Sequence, residues 1–311
     1  MPNAAVFWPA TLGILILVVG IVTYREDVFA PTSRGITRLT ALGPVFVAAA
    51  LAAFAGEHFT AASSLADLVP KYMPKPLYIA YFVGAAHLAA AVSFVARRYI
   101  RPSSICLALM FALFVSLMDV PAAVAHPGAR MSWVLVARQA TFSIGALALF
   151  AVVTSDSSPN AAATIGTIAR IWAACVLVFY GIENILYPQF SPGVPDTTPT
   201  AAWVPSPHIV AYVVGGILVL CGVAMFIRKS APSAGAWAGL LMTVLAVGLY
   251  GRQFFIAATA PDKVIAINFI FDTLLFGGMM LIVGAAAGIR AEDFSTFRPP
   301  RRARSEEAVP V

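Results

Sequence analysis

The sequence predicts an all-α integral membrane protein of nine transmembrane helices: one leading helix, then two parallel four-helix-bundle repeats. Three observations carry that reading. Hydrophobic residues fill 60% of the 311 positions and charged residues only 11%, with mean hydropathy +0.87, whereas a soluble domain is about 25% charged. Apolar windows of roughly 20 residues, long enough to cross a hydrocarbon core, occur nine times along the chain. The third observation is a repeat. Gly56-Glu57-His58, Met73-Pro74-Lys75-Pro76 and Tyr81-Phe82-Val83-Gly84 return as Gly181-Ile182-Glu183-Asn184, Val204-Pro205-Ser206-Pro207 and Tyr212-Val213-Val214-Gly215, the last two blocks 131 residues on. Internal repeats decide architecture before finer features do.

The windows fall near 6–24, 39–60, 76–96, 104–124, 132–153, 166–187, 207–227, 235–258 and 264–288. Nothing basic precedes the first, no small-x-small cleavage site follows it, and its flank is Tyr24-Arg25-Glu26-Asp27, so it reads as a retained helix and not a signal peptide. Residues 1–38 hold that helix and its loop, 39–153 the first module, 154–165 a polar linker, 166–288 the second module and 289–311 a basic tail. The linker Thr154-Ser155-Asp156-Ser157-Ser158-Pro159-Asn160 breaks helices by composition. Four spans per module make both modules enter the membrane in the same sense, related by an axis along the membrane normal. The second span of each module begins after a Pro-x-Pro, since proline suits a first helical turn where no backbone donor is needed.

Lysine and arginine predict orientation. Arg25, Arg34, Arg38, Arg97, Arg98, Arg101, Arg170, Arg228, Lys229, Arg290, Arg298, Arg301, Arg302 and Arg304 fall on one side, against Lys71, Lys75, Arg130 and Lys263 on the other. That places the N-terminus outside and the C-terminus in the cytoplasm of a bacterial inner membrane. The net charge of +6 then describes a surface facing anionic lipid and is no argument for a nucleic-acid partner. Cys106, Cys175 and Cys221 lie in apolar helices with no CxxC, so they read as small hydrophobes.

The stretch from Glu57-His58-Phe59 through Leu68-Val69-Pro70-Lys71-Tyr72-Met73-Pro74, Tyr81-Phe82-Val83-Gly84, Arg97 to Pro102 and His126-Pro127 resembles the DoxX-like four-helix membrane proteins. The second half resembles them more loosely, with Glu183-Asn184 in place of Glu57-His58. Named relatives in that family include small membrane subunits associated with terminal quinol oxidases and with thiosulfate:quinone oxidoreduction. The resemblance therefore implies a membrane subunit of a redox-linked system near a quinone pool, with quinone as a cofactor and redox-complex proteins as partners.

Ionisable groups inside a membrane are costly and mark candidate sites. Glu57, Asp119, Arg138, Glu183, Arg252 and Asp272 all fall in the outer halves of their helices, with His58, Gln139, Asn184, Gln253 and Asn268 beside them. In the first module the third span carries the acid (Asp119) and the fourth the base (Arg138). In the second module Arg252 and Asp272 exchange those signs. Two uses are open: ion pairs that fix helix register, or the lining of a polar pocket in each module that opens outward. The expected pairs are Asp119 with Arg138 and Arg252 with Asp272, with Arg138 nearest Glu57 and Arg252 nearest Glu183.

Glu57-His58 could move protons, because histidine titrates near neutral pH, but adjacent residues diverge by about 100° on a helix. His87 sits mid-membrane with no histidine at its own depth, which argues against paired haem ligands, and no metal site is expected. Beside the redox-subunit reading stand a transporter or small-molecule-binding protein using the repeat interface, and a structural anchor.

Overall fold

The computed structural model describes residues 3–30 and 35–289. Arg34 and the basic tail from Arg290 onward, with Arg298, Arg301, Arg302 and Arg304, lie outside the described residues. Among the described residues the chain is all-helical apart from turns and one isolated bridge between Phe190 and Pro199. Nine helices are long and apolar enough to cross a membrane: α1 (Ala4–Val28), α2 (Gly35–Thr60), α3 (Pro76–Val95), α4 (Ile100–Ala125), α5 (Arg130–Thr154), α6 (Pro159–Leu186), α7 (Pro207–Phe226), α8 (Ala231–Ile256) and α9 (Ala260–Ala287). The sequence windows match these spans to within seven residues at every end. With an odd number of passes, Asn3 and Ile289 stand on opposite faces, here named the N-face and the C-face.

The repeat is visible in backbone geometry. Lys75 and Ser206, each between two prolines, adopt the left-handed conformation with φ +53° and +48° just before α3 and α7. Helices α4 and α8 each contain a π-helical turn, at Val115–Asp119 and Leu245–Tyr250. Such turns insert one residue, free a carbonyl, and recur at functional sites. In α4 the Tyr72 hydroxyl donates to the Leu117 carbonyl within that turn, at 3.0 Å.

Helix packing relies on small residues, as expected where lipid removes most of the hydrophobic drive between helices. On α1 only Pro9, Gly13, Gly20 and Tyr24 are buried. A Cβ at Gly20 would lie 2.5 Å from Val45 and one at Gly56 2.9 Å from Pro9, so α1 and α2 meet almost backbone to backbone. Its remaining faces are apolar and exposed. Helix α9 is the centre of the molecule. It packs against α2, α5, α6 and α8, and the side chains from Thr273 to Gly284 are buried without a break.

The halves close differently. In the second, α6, α7, α8 and α9 form a ring in which the first and last helices pack together; in the first, α2 and α5 do not pack side by side, and α9 stands between them. At the C-face, arginines meet helix ends: Arg101 donates to the Val153 carbonyl at 3.1 Å and Arg170 to Met225 and Phe226 carbonyls at 2.8 and 2.6 Å. These are the carbonyls that a helix C-terminus leaves without partners.

Candidate functional site

The candidate site lies near the N-face, between the halves. Helix α5 supplies Arg138, α2 supplies Phe54, α9 supplies Ile265, Asn268, Phe269, Asp272 and Thr273, and the loop after α6 supplies Val194, Asp196 and Thr198. Together they enclose a cavity of about 360 Å³. Arg138 donates to Asp272 Oδ2 at 2.8 Å, with both side chains about one-fifth exposed. Asn268, one turn before Asp272 on the same face, donates to Glu57 Oε1 at 3.2 Å. One wall thus carries a polar strip of Asn268 and Asp272, with Glu57 of the first half bonded to Asn268 outside the lining.

This corrects the expected pairing. Arg138 meets Asp272 across the halves, and Asp119 is left with Oδ2 buried and unpartnered. Arg252 meets neither Asp272 nor Glu183; it lies exposed over the Trp203 ring, 4.3 Å from its centroid. Glu183 pairs with Arg130 at 2.5 Å, again across the halves. Separate interiors, each with its own pair, fail because α9 packs against α5 and presents Asp272 to Arg138, although α4, which carries Asp119, packs against α5 as well. Gln253 is half-buried on α8, away from the cavity lining.

Arg130, which reads from sequence as a loop cation, organises the second wall. Besides Glu183 it donates to the Asp196 carbonyl at 3.0 Å and stacks over Tyr187 and Phe190, at 4.3 and 5.2 Å. The Asp196 carboxylate accepts from the backbone N–H groups of Thr197 and Thr198, which holds the loop turn. Behind it, residues 191–195 are buried inside the second half. Asn184 grips them from both sides: its Nδ2 donates to the Gly193 carbonyl at 2.9 Å and its Oδ1 accepts from the Gly193 N–H at 2.8 Å. Gly193 has φ +108°, a conformation that suits glycine. The Tyr250 hydroxyl donates to the Pro192 carbonyl at 2.6 Å.

The first half places its polar residues elsewhere. Contrary to the expectation that His87 has no histidine at its depth, His58 and His87 meet edge to face with ring centroids 5.3 Å apart, among Phe54 and Phe111. The His58 Nδ1–H donates to the Phe54 carbonyl at 2.8 Å, on its own helix. Both ring nitrogens of His87 are buried without a partner, as is Gln139 Oε1. Of these residues only Phe54 lines the cavity; His58, His87 and Gln139 do not. No group of three or more His, Cys, Asp or Glu able to hold a metal occurs among the described residues.

Arg130, Asp196 and Thr198 were missed from sequence because a long loop's fold is invisible to periodicity. A signal was available in Ser191-Pro192-Gly193-Val194-Pro195-Asp196, whose turn formers surround apolar residues. The chain matches no family model, no curated protein and no solved structure.

Proposed function

We propose that the protein binds a small solute in the cavity between its halves, from the N-face, as a membrane-embedded binding protein of the transporter class. The supporting observation is the Arg138–Asp272 pair at the edge of the 360 Å³ cavity. A buried pair used only for packing has no need of an adjoining cavity, whereas here both charges border one. Arg138 spends one of its five N–H donors on Asp272, and the apolar walls of Phe54, Ile265 and Phe269 lower the local dielectric, which strengthens any polar contact made there. Ligand sites of duplicated membrane proteins commonly lie at such an interface.

A quinone-associated redox role draws its support from the family resemblance alone, and His58 and His87 stand outside this cavity. Thermal melts of the detergent-solubilised protein against a panel of small zwitterions, anions, cations and neutral polar solutes test the binding reading. One class should raise the melting temperature, and the rise should vanish in the isosteric double variant Arg138→Gln/Asp272→Asn. A panel with no stabilising class, or a rise that survives the double variant, rejects the site.

A further inference from the structure

We infer that the seam between α2, α5 and α9 is a route between the two faces for a small zwitterionic or strongly dipolar solute, closed at its middle by Met279 seated on Gly145. The inference rests on the binding reading and extends it from holding a solute to passing it.

The same three helices line a second cavity, of about 350 Å³, near the C-face. Pro44 of α2, Leu149, Val152 and Val153 of α5, and Ile282 and Ala285 of α9 form its apolar wall. Its polar edge comes from Tyr24, Asp27, Thr40 and Arg97. The two cavities therefore stand in line, one at each end of the place where α2 and α5 fail to pack. On α9 the stretch from Thr273 to Ile282 that separates them covers about 14 Å.

Both ends carry the same chemistry. Arg138 pairs with Asp272 at 2.8 Å on the N-face side, and Arg97 pairs with Asp27 at 2.6 Å on the C-face side. A solute with one positive and one negative group can exchange partners with such a pair and leave no charge uncompensated. A simple ion would strand one member of the pair, which is costly at the N-face pair and less so at the C-face pair, whose side chains are 47% and 39% exposed. At the N-face end Asp196 adds a second carboxylate, hydrogen-bonded by the Thr197 and Thr198 N–H groups, which favours the solute's positive group there.

Between the cavities the seam is tight. Met279 is wholly buried, as are Val47 and Leu51 of α2. A Cβ at Gly145 would stand 2.5 Å from Met279 Sδ, and one at Gly278 2.9 Å from Val47. The missing side chain at Gly145 is thus the seat for Met279. Methionine has three rotatable bonds and adapts to irregular space, so Met279 is the side chain of this closure best able to change rotamer.

The test uses the full chain with its three cysteines replaced, reconstituted in liposomes, with MTSET, a charged impermeant thiol reagent, applied to one face at a time. Control cysteines at Ser64 and Ser157 mark the two faces. Phe269→Cys should react from the N-face only and Ala285→Cys from the C-face only. Gly145→Cys combined with Met279→Ala should react from both. Glycine-driven swelling of Met279→Ala liposomes should exceed wild type at least tenfold, and glycine should exceed acetate and methylammonium in both. A silent cysteine at position 145, swelling that Met279→Ala leaves unchanged, or a leak that ignores charge overturns the route. If that happens while the melts still show a stabilising solute class, binding stands without passage; if the melts show none, both fall.

Discussion

The two halves answer the same local problem in different ways at equivalent positions near the N-face. Glu183 receives an arginine, whereas Glu57 receives only the carboxamide of Asn268. Asn184 clasps Gly193, whereas His58 spends its Nδ1–H on its own helix. At the end of the π-helical turn Tyr250 donates to Pro192, whereas Asp119 keeps an unpartnered oxygen. Leu218 fills the core of α7 where α3 has His87 with both nitrogens unpartnered. The second half has folded its own loop into its interior and bonded Asn184 and Tyr250 to it. The first half has only the shorter loop 61–75, which is largely exposed. The second half fills its interior with its own loop; the first keeps unpartnered polar groups, and its boundary with α9 holds both cavities.

The widest gap should appear at the glutamates. Arg130→Ala leaves Glu183, with a side chain 10% exposed, buried without its cation, and removal of one partner from a buried pair costs about 3–5 kcal/mol. The matching operation in the first half, Asn268→Ala, deletes a single hydrogen bond to Glu57 and should cost about 1.5 kcal/mol. Unfolding in mixed SDS micelles measures both, and equal losses would remove the contrast between the halves.

Next comes the clasp. Asn184→Ala strands the Gly193 N–H and carbonyl, and buried polar groups without partners cost about 1–3 kcal/mol each. The expected loss is about 2–3 kcal/mol, with faster amide exchange confined to residues 188–206. His58→Ala at the equivalent position should leave loop 61–75 unchanged in the same exchange experiment. Protection lost in both loops would mean that the first half is sealed as well.

The nine spans were readable because hydropathy and length act residue by residue, and the repeat because Pro-x-Pro and Tyr-x-x-Gly survive duplication. The charged residues near the N-face were readable too, since Glu57, Arg138, Glu183 and Asp272 are conspicuous among apolar neighbours. Their partners were not. Pairing Asp119 with Arg138 assumes that consecutive antiparallel helices hold each other's charges, and that fails where α9 enters between α2 and α5. Nor does composition say whether a loop lies on the surface or folds inward; Asn184 in place of histidine is the local sign that it folds inward, and it has meaning only once Gly193 is seen against it. The C-face cavity left no mark in the intramembrane charge pattern, because its ion pair comes from Asp27 and Arg97 at helix ends.

The smallest expected effect is the most discriminating. His87→Leu copies the second half, where Leu218 is wholly buried at the equivalent place. Leucine is close to histidine in volume, so neither a void nor overpacking should dominate. The substitution removes two buried ring nitrogens that the chain does not satisfy. Replacing an unsatisfied polar group by an apolar one of similar shape is neutral or stabilising. It also removes an edge-to-face contact with His58, and aromatic pairs contribute about 0.5–1.5 kcal/mol. The two terms oppose each other at similar size, so stability should stay within about 1 kcal/mol of wild type. A loss well beyond that range would show that His87 is bonded by something the chain does not supply. The first half would then be an occupied interior, and its difference from the second would be one of occupant and not of packing.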